Sequence, residues 1–265
     1  MVDYCHSKGT QAESSFDLGI QTKSGATDFA TQVDVDNEHM VIKGILAKFS
    51  THAIIGEEST GTGDLPPLTK VPTWVIDPID GTTNFASGIP LTCVSIALCV
   101  DQRPVLGVVY APMTQELYIA VKEHGAYRNG VKITPRSHTP LNDAIVCCEF
   151  GYPRDTVAIT KMVGAVQHIL QHGCRAIRQL GSGVLDLCYV ATGRLDVVYA
   201  GVASEGWKPW DYAAGLVILQ EAGCVMEAID QPSNQKEFDL YSKSLICAVS
   251  QELLQDCRKI ITATK

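Results

Sequence analysis

Trp74-Val75-Ile76-Asp77-Pro78-Ile79-Asp80-Gly81-Thr82-Thr83 is an apolar run that leads straight into two aspartates and a turn. The β-favouring residues before Asp77 predict a strand over Thr73–Asp77. Pro78 has no N–H to give a sheet ladder, so the strand is expected to stop there, with Asp77 and Asp80 turned toward a common point. A sheet fixes what the following loop presents, which makes strand ends good places for chemistry. Gly81 permits a close backbone approach, and its N–H and that of Thr82 form a nest suited to a phosphate oxygen. An ordinary polar turn uses the same residue types, so the meaning of this segment depends on its neighbours.

Working outward, Gly56-Glu57-Glu58-Ser59 closes the apolar run Ala53–Gly56, and Trp210-Asp211-Tyr212-Ala213-Ala214-Gly215 sets an aspartate at a helix start, where alone it would read as an N-cap. Glu57, Asp77, Asp80 and Asp211 are thus all acids at element ends. Brought close together they would repel, so such a group holds protons or cations. Oxygen-only ligation suits Mg²⁺, which is usually shared with a substrate phosphate. The Asp-x-x-Asp spacing is one residue too long for the Asp-x-Asp phosphatases that form an aspartyl-phosphate, which favours direct attack by water.

Other motifs point elsewhere or nowhere. Gly181-Ser182-Gly183 fails as a dinucleotide fingerprint because Asp186 stands at the third glycine position, and it reads instead as a helix N-terminus offering N–H groups to an anion or a hydroxyl. Asp34-Val35-Asp36-Asn37-Glu38 lacks the glycine of a calcium loop, leaving Asp36 and Glu38 as solvated helix residues. The histidines show no metal-ligand spacing, and His168 with His172 is expected on a helix surface.

The periodicity predicts helices over Asp34–Ser50, Asp155–His172, Gly183–Thr192, Asp211–Ala222 and Gln251–Thr262. Strands are expected at Ala53–Gly56, Cys93–Asp101, Val105–Ala111, Leu117–Val121, Ile145–Phe150, Leu195–Ala200, Cys224–Ile229 and Leu245–Val249, with an Asn129-Gly130 hairpin. An antiparallel first half followed by a βαβ-like second half, divided near residues 135–144, argues for layered sheets and helices of α+β or α/β type.

The chain has 265 residues and a formal charge of −8, the wrong sign for gripping nucleic acid or anionic lipid through the net field. No apolar stretch approaches the roughly 20 residues that cross a bilayer. The start Met1-Val2-Asp3-Tyr4-Cys5-His6 lacks the pattern of a signal peptide. Cys93, Cys99, Cys147, Cys148, Cys188, Cys224 and Cys247 sit in apolar segments and read as reduced, buried thiols, which suits a cytoplasmic location.

Taken in order, Gly-Glu-Glu at 56–58, Asp-Pro-Ile-Asp-Gly-Thr-Thr at 77–83 and Trp-Asp-x-Ala-Ala-Gly at 210–215, with Asp28-Phe29-Ala30-Thr31-Gln32-Val33-Asp34 upstream, closely resemble the inositol monophosphatase family of Mg²⁺-dependent, lithium-sensitive phosphatases. The resemblance implies an α+β fold, a layered αβαβα sandwich. Residues 1–140 would carry an N-terminal helix, a largely antiparallel sheet and most metal ligands. Residues 141–265 would carry Asp211 and the substrate-side loops, the two packing as one compact unit. It implies one Mg²⁺ on Glu57, Asp77 and the Ile79 carbonyl, a second on Asp77, Asp80 and Asp211, and a third, weaker ion near Glu57. Asp34 and Thr82 would orient and deprotonate the attacking water, completing with Glu57 the catalytic set, and Glu38 becomes a candidate support. Asp80, Gly81, Thr82, Gly181, Ser182, Gly183 and Glu205 would face the substrate, a small phosphate monoester.

A homodimer hydrolysing myo-inositol monophosphate is the expected whole. The alternatives are another sugar phosphate, histidinol phosphate, fructose 1,6-bisphosphate or 3′-phosphoadenosine 5′-phosphate as substrate, or a regulatory protein on the same fold. Two departures from the family pattern stand out: a short, polar first 22 residues, and a long 200–209 link in which Glu205 is the acid available for substrate hydroxyls.

Overall fold

A computed structural model of the chain describes residues 18–25, 28–136, 139–204, 206–232, 235 and 237–263. The first 17 residues, and with them most of the polar N-terminal departure, lie outside the described residues, as does Glu205. An antiparallel pair, β1 (Gln21–Gly25) and β2 (Asp28–Ala30), leads into helix α1 (Gln32–Leu46). The helix begins two residues before the expected Asp34 because Thr31 caps it and Asp34, at the third position, reaches back to the Thr31 N–H. It ends at Leu46, short of Ser50, where the chain turns so that the Phe49 ring stacks on His52, with centroids 4.9 Å apart, and leans on Trp74.

The larger sheet keeps chain order: β3 (Ala53–Gly56), β4 (Thr73–Asp80), β5 (Cys93–Val100), β6 (Arg103–Ala111), β7 (Glu116–Val121), β8 (Gly125–Arg128) and β9 (Val131–Lys132). Only β3 and β4 run parallel, and the rest is an antiparallel meander. The Asn129-Gly130 turn forms as expected, both residues at positive φ, pairing Arg128 with Val131. Two short helices, α2 (Glu57–Thr60) and α3 (Thr82–Ala86), follow β3 and β4 directly.

The smaller sheet is mixed, with β10 (Ile145–Glu149), β11 (Ala176–Arg178), β12 (Val197–Ala200), β13 (Val225–Glu227) and β14 (Leu245–Ala248) in the order β11-β10-β12-β14-β13. Its helices are α4 (Thr156–His172), α5 (Gly183–Ala191), α6 (Pro209–Ala222) and α7 (Gln251–Ile261). Helices α5 and α6 pack on each other between the two sheets, α6 against β5 and β6 and α5 against β12. Outside, α1 covers β4 while α4 and α7 pair over the smaller sheet. The layers therefore run αβαβα.

Residue choice explains that middle layer. Helix α6 is apolar almost all round, with Trp210, Tyr212–Leu219 buried, as a helix with sheet on one side and helix on the other must be. Two glycines let the layers close. A Cβ at Gly107 of β6 would strike the Ala214 carbonyl, and one at Gly215 would strike Leu187 of α5.

One expectation is corrected. Strand β4 does not stop at Pro78 but continues to Asp80. Its register with β5 pairs Asp77 with Ser95 and Asp80 with Cys93, three steps against two. That extra residue is a bulge, and the proline that cannot donate sits inside it. In an unbroken strand, residues three apart point to opposite faces. The bulge returns Asp77 and Asp80 to the same side.

Candidate active site

The carboxylates of Asp77, Asp80 and Asp211 each place an oxygen within 4.8 Å of the others. They line a cavity of about 320 Å³, together with Glu57, Ile79, Gly81, Thr82, Gly181 and Gly183. Each acid arrives by a different route. Asp77 is anchored by its own strand, accepting the Ile79 N–H at 3.0 Å. Asp80 accepts the Ser182 hydroxyl at 2.5 Å and the Val184 N–H at 2.9 Å, so the N-terminus of α5 holds it. Asp211 is not the N-cap of α6: Lys208 is, and Asp211, at the third helical position, accepts the Lys208 N–H at 2.6 Å.

Glu57 opens α2 and lines the same cavity, where Lys23 of β1 bonds it at 2.7 Å and Glu58 at 2.8 Å. Helix α2 is itself held by Glu38. Far from being solvated, Glu38 is 1% exposed and accepts the N–H groups of Glu58 (2.8 Å) and Ser59 (2.7 Å). It does so because Asp34 and Glu38, one helical turn apart, share the inner face of α1 with Val41. That spacing was the signal in the sequence. Lys23 gave none, lying 34 residues before its partner on a separate hairpin.

Asp34 and Thr82 meet as expected. Asp34 is fully buried; its Oδ2 accepts both the N–H (2.8 Å) and the hydroxyl (2.5 Å) of Thr31, while its Oδ1 faces the Thr82 hydroxyl at 3.3 Å. The Thr82 hydroxyl also reaches the Ile79 carbonyl at 3.2 Å. Gly81, at φ +86°, forms the corner before α3, where a Cβ would lie 2.9 Å from the Gly181 carbonyl. Ser182 is buried against Asp80, whereas Gly181 and Gly183 line the cavity on either side of it.

The electrostatics state what the cluster lacks. Burial, opposed by Lys23, pushes the Glu57 carboxyl up to about 7, and burial, opposed by Ser182 and Val184, pushes Asp80 up to about 6. Asp77 is held well above the usual carboxylate range by burial and then by the charges of Glu57, Asp80 and Asp211; Asp211 is raised for the same kind of reason. Asp34 is raised by burial, against the Thr31 hydrogen bonds. Desolvated acids that repel one another either take protons or share cations, and an all-oxygen set with an adjoining main-chain carbonyl fits a hard divalent ion.

A further pair of acids stands behind the 181–183 turn. Glu149 accepts the N–H groups of Leu180 (2.7 Å) and Gly181 (2.9 Å), and it converges with Cys147 and Asp186. The fully buried Asp186 Oδ1 meets no protein N–H or O–H, and burial with the charges of Glu149 and Asp80 holds its carboxyl well above the usual range. Its Oδ2 accepts the Cys147 thiol at 3.5 Å. Neither residue stood out in the sequence, since their partnership joins β10 to α5.

The seven cysteines expected to be buried are buried, and the nine described cysteines are all free. No described helix is long and apolar enough to cross a membrane.

The family model for the inositol monophosphatase family matches residues 5–262. Inositol monophosphatase 2 of Solanum lycopersicum is 40% identical over 221 residues, covering 83% of this chain and 80% of its own. Inositol monophosphatase 1 of Homo sapiens is 32% identical over 246 residues, covering 92% and 86%. Among solved structures, the IMPase of Thermotoga maritima superposes with a TM-score of 0.79 at 28% identity, covering 98% of this chain and 94% of that one.

Proposed function

This chain belongs to the inositol monophosphatase family, and on that premise we propose that it hydrolyses myo-inositol monophosphate to inositol and phosphate. The observation that carries the reading is the convergence of Asp77, Asp80 and Asp211 beside the Asp34–Thr82 pair. We assign Asp77, Asp80, Asp211, Glu57 and the Ile79 carbonyl to Mg²⁺, two or three ions in all. When bound, the ions acidify a water and offset charge on the phosphoryl and leaving oxygens.

The protein's own groups do the remainder. Thr82 Oγ1 fixes the position of the attacking water, and Asp34 Oδ1, made more basic by burial, accepts its proton. The Thr31 hydrogen bonds keep Asp34 Oδ2 fixed while Oδ1 acts. Lys23 holds Glu57 in place and offsets part of its charge. Ser182 and Val184 orient Asp80, and the N–H groups of Gly81 and Thr82 meet phosphate oxygens. Glu205 and the 181–183 turn take the alcohol side.

The same reading carries a homodimer, a cytoplasmic location supported by free thiols, and one folding unit made of 1–140 and 141–265, supported by α6 lying against the larger sheet. Lithium should inhibit, since a singly charged ion at Asp77, Asp80 and Asp211 is a poor stabiliser of the leaving oxygen. The test is phosphate release from inositol monophosphate and the rival esters, with Mg²⁺ and with EDTA. Asp77→Asn should lose several orders of magnitude in turnover while remaining folded. Near-normal Mg²⁺-dependent turnover in that variant refutes the assignment.

A further inference from the structure

Beside the acids, Phe150, Tyr152, Trp207 and Lys208 also line the cavity. Trp207 comes from the long link before α6, and the six-membered ring of its indole lies directly on Gly183. A Cβ at Gly183 would lie 2.7 Å from Cζ3 and 3.1 Å from Cζ2 of that ring, so only glycine admits the indole here.

The indole is also fixed from behind. It stacks on Tyr212, with centroids 5.7 Å apart and planes at 26°. Tyr212 is fully buried, stands edge-on to Phe238 at 5.0 Å, and bonds the Ser242 carbonyl at 3.0 Å. Trp207 itself is half-buried and forms part of the cavity lining. An indole fixed by Gly183 and Tyr212 therefore forms part of the lining of the cavity that holds the carboxylates. Pockets of this kind use an apolar wall for contact area and a few polar groups for orientation. A phosphate held through cations on these acids would leave its alcohol beside the indole. A cyclic polyol with equatorial hydroxyls offers such a wall a face of C–H bonds, and an open-chain alcohol offers none of fixed shape.

We propose that Trp207, seated on Gly183, is a specificity-determining residue that packs against the C–H face of a ring-shaped polyol phosphate, so that the protein selects cyclic over acyclic phosphate monoesters. This rests on the phosphatase reading above and adds the residue that sets its preference. The indole contributes contact area on the alcohol side and takes no part in the chemistry at phosphorus. Its removal should therefore appear in KM and spare kcat.

The test compares myo-inositol 1-phosphate with glycerol 2-phosphate, at saturating Mg²⁺, for the unmodified protein and for Trp207→Ala, Trp207→Phe and Gly183→Ala. Trp207→Ala should raise KM for the inositol ester roughly tenfold, the scale of one ring face returned to water, with kcat within about threefold. KM for the glycerol ester should stay within about twofold. Trp207→Phe, which keeps an aromatic on the Tyr212 stack, should retain most of the preference and guards against a folding defect in the alanine variant. Gly183→Ala should displace the indole and likewise raise KM for the inositol ester. Equal losses on both esters would make Trp207 a structural residue and overturn the proposal, as would no loss on either. Hydrolysis of neither ester by the unmodified protein refutes the phosphatase reading itself, and the substrate class falls with it.

Discussion

Glu38→Gln removes one charge from a side chain that touches no substrate, yet it should weaken metal binding. The Glu38 carboxylate accepts two backbone N–H groups at the start of α2, from Glu58 at 2.8 Å and Ser59 at 2.7 Å, in a position 1% exposed. A glutamine keeps one accepting oxygen and turns an NH₂ toward the other N–H, leaving a buried donor unsatisfied. Losing a charge-assisted bond and orphaning its donor costs about 2–4 kcal/mol. For a chain of this size that is a fall in Tm of roughly 5–15 °C. Because α2 begins at Glu57, part of the loss should appear as a looser Glu57, raising the half-saturating Mg²⁺ concentration by about tenfold for each 1.4 kcal/mol expressed there. The assays are thermal unfolding by circular dichroism in EDTA, and phosphate release against Mg²⁺ concentration. Gly56→Ala is an independent probe, since its Cβ would lie 2.5–2.7 Å from the same carboxylate and must displace it. If Glu38→Gln melts within about 2 °C of the parent and its Mg²⁺ curve is unmoved, the capping argument is refuted.

Three further outcomes are expected. In EDTA the raised Glu57 and Asp80, from ordinary values of 4.5 and 3.8 to about 7 and about 6, stabilise the fold fully below those ordinary values and lose that contribution as pH rises through 6 to 7. The Tm gained on adding Mg²⁺ should therefore grow between about pH 5 and pH 7.5, and a gain independent of pH would contradict the raised acids. Gly107→Ala drives a methyl into the Ala214 carbonyl and should cost about 1–3 kcal/mol in urea unfolding, whereas Gly88→Ala, with nothing within 4 Å but φ at +71°, should cost less. Glu149→Ala frees the Leu180 and Gly181 N–H groups from their shared acceptor; kcat/KM should fall by at least about tenfold, and an unchanged value would show that the 181–183 turn needs no such support.

Local chemistry made much of this protein legible in its residues. Asn129-Gly130 specified its turn, and the apolar periods of α4 to α7 specified their helices to within a residue or two. The acids Glu57, Asp77, Asp80 and Asp211 were recognisable because each ends or opens an element, a property of short stretches of chain. What the chain could not show one segment at a time were the relations that need two surfaces at once. Pro78 alone argues for a strand end; only pairing with β5 turns it into a bulge that puts Asp77 and Asp80 on one side. Glu38 alone is a polar residue on a helix; only the packing of α1 beside β3 and β4 buries it beneath α2. Lys23 with Glu57, Glu149 with Asp186, and Trp207 with Gly183 are likewise partners from elements far apart in sequence. A side chain's local propensity acts over a few residues, but burial and charge act across whatever the tertiary fold brings within a few ångströms. The acids of the candidate site are therefore written in the sequence, and their protonation, support and neighbouring indole arise only in the folded chain.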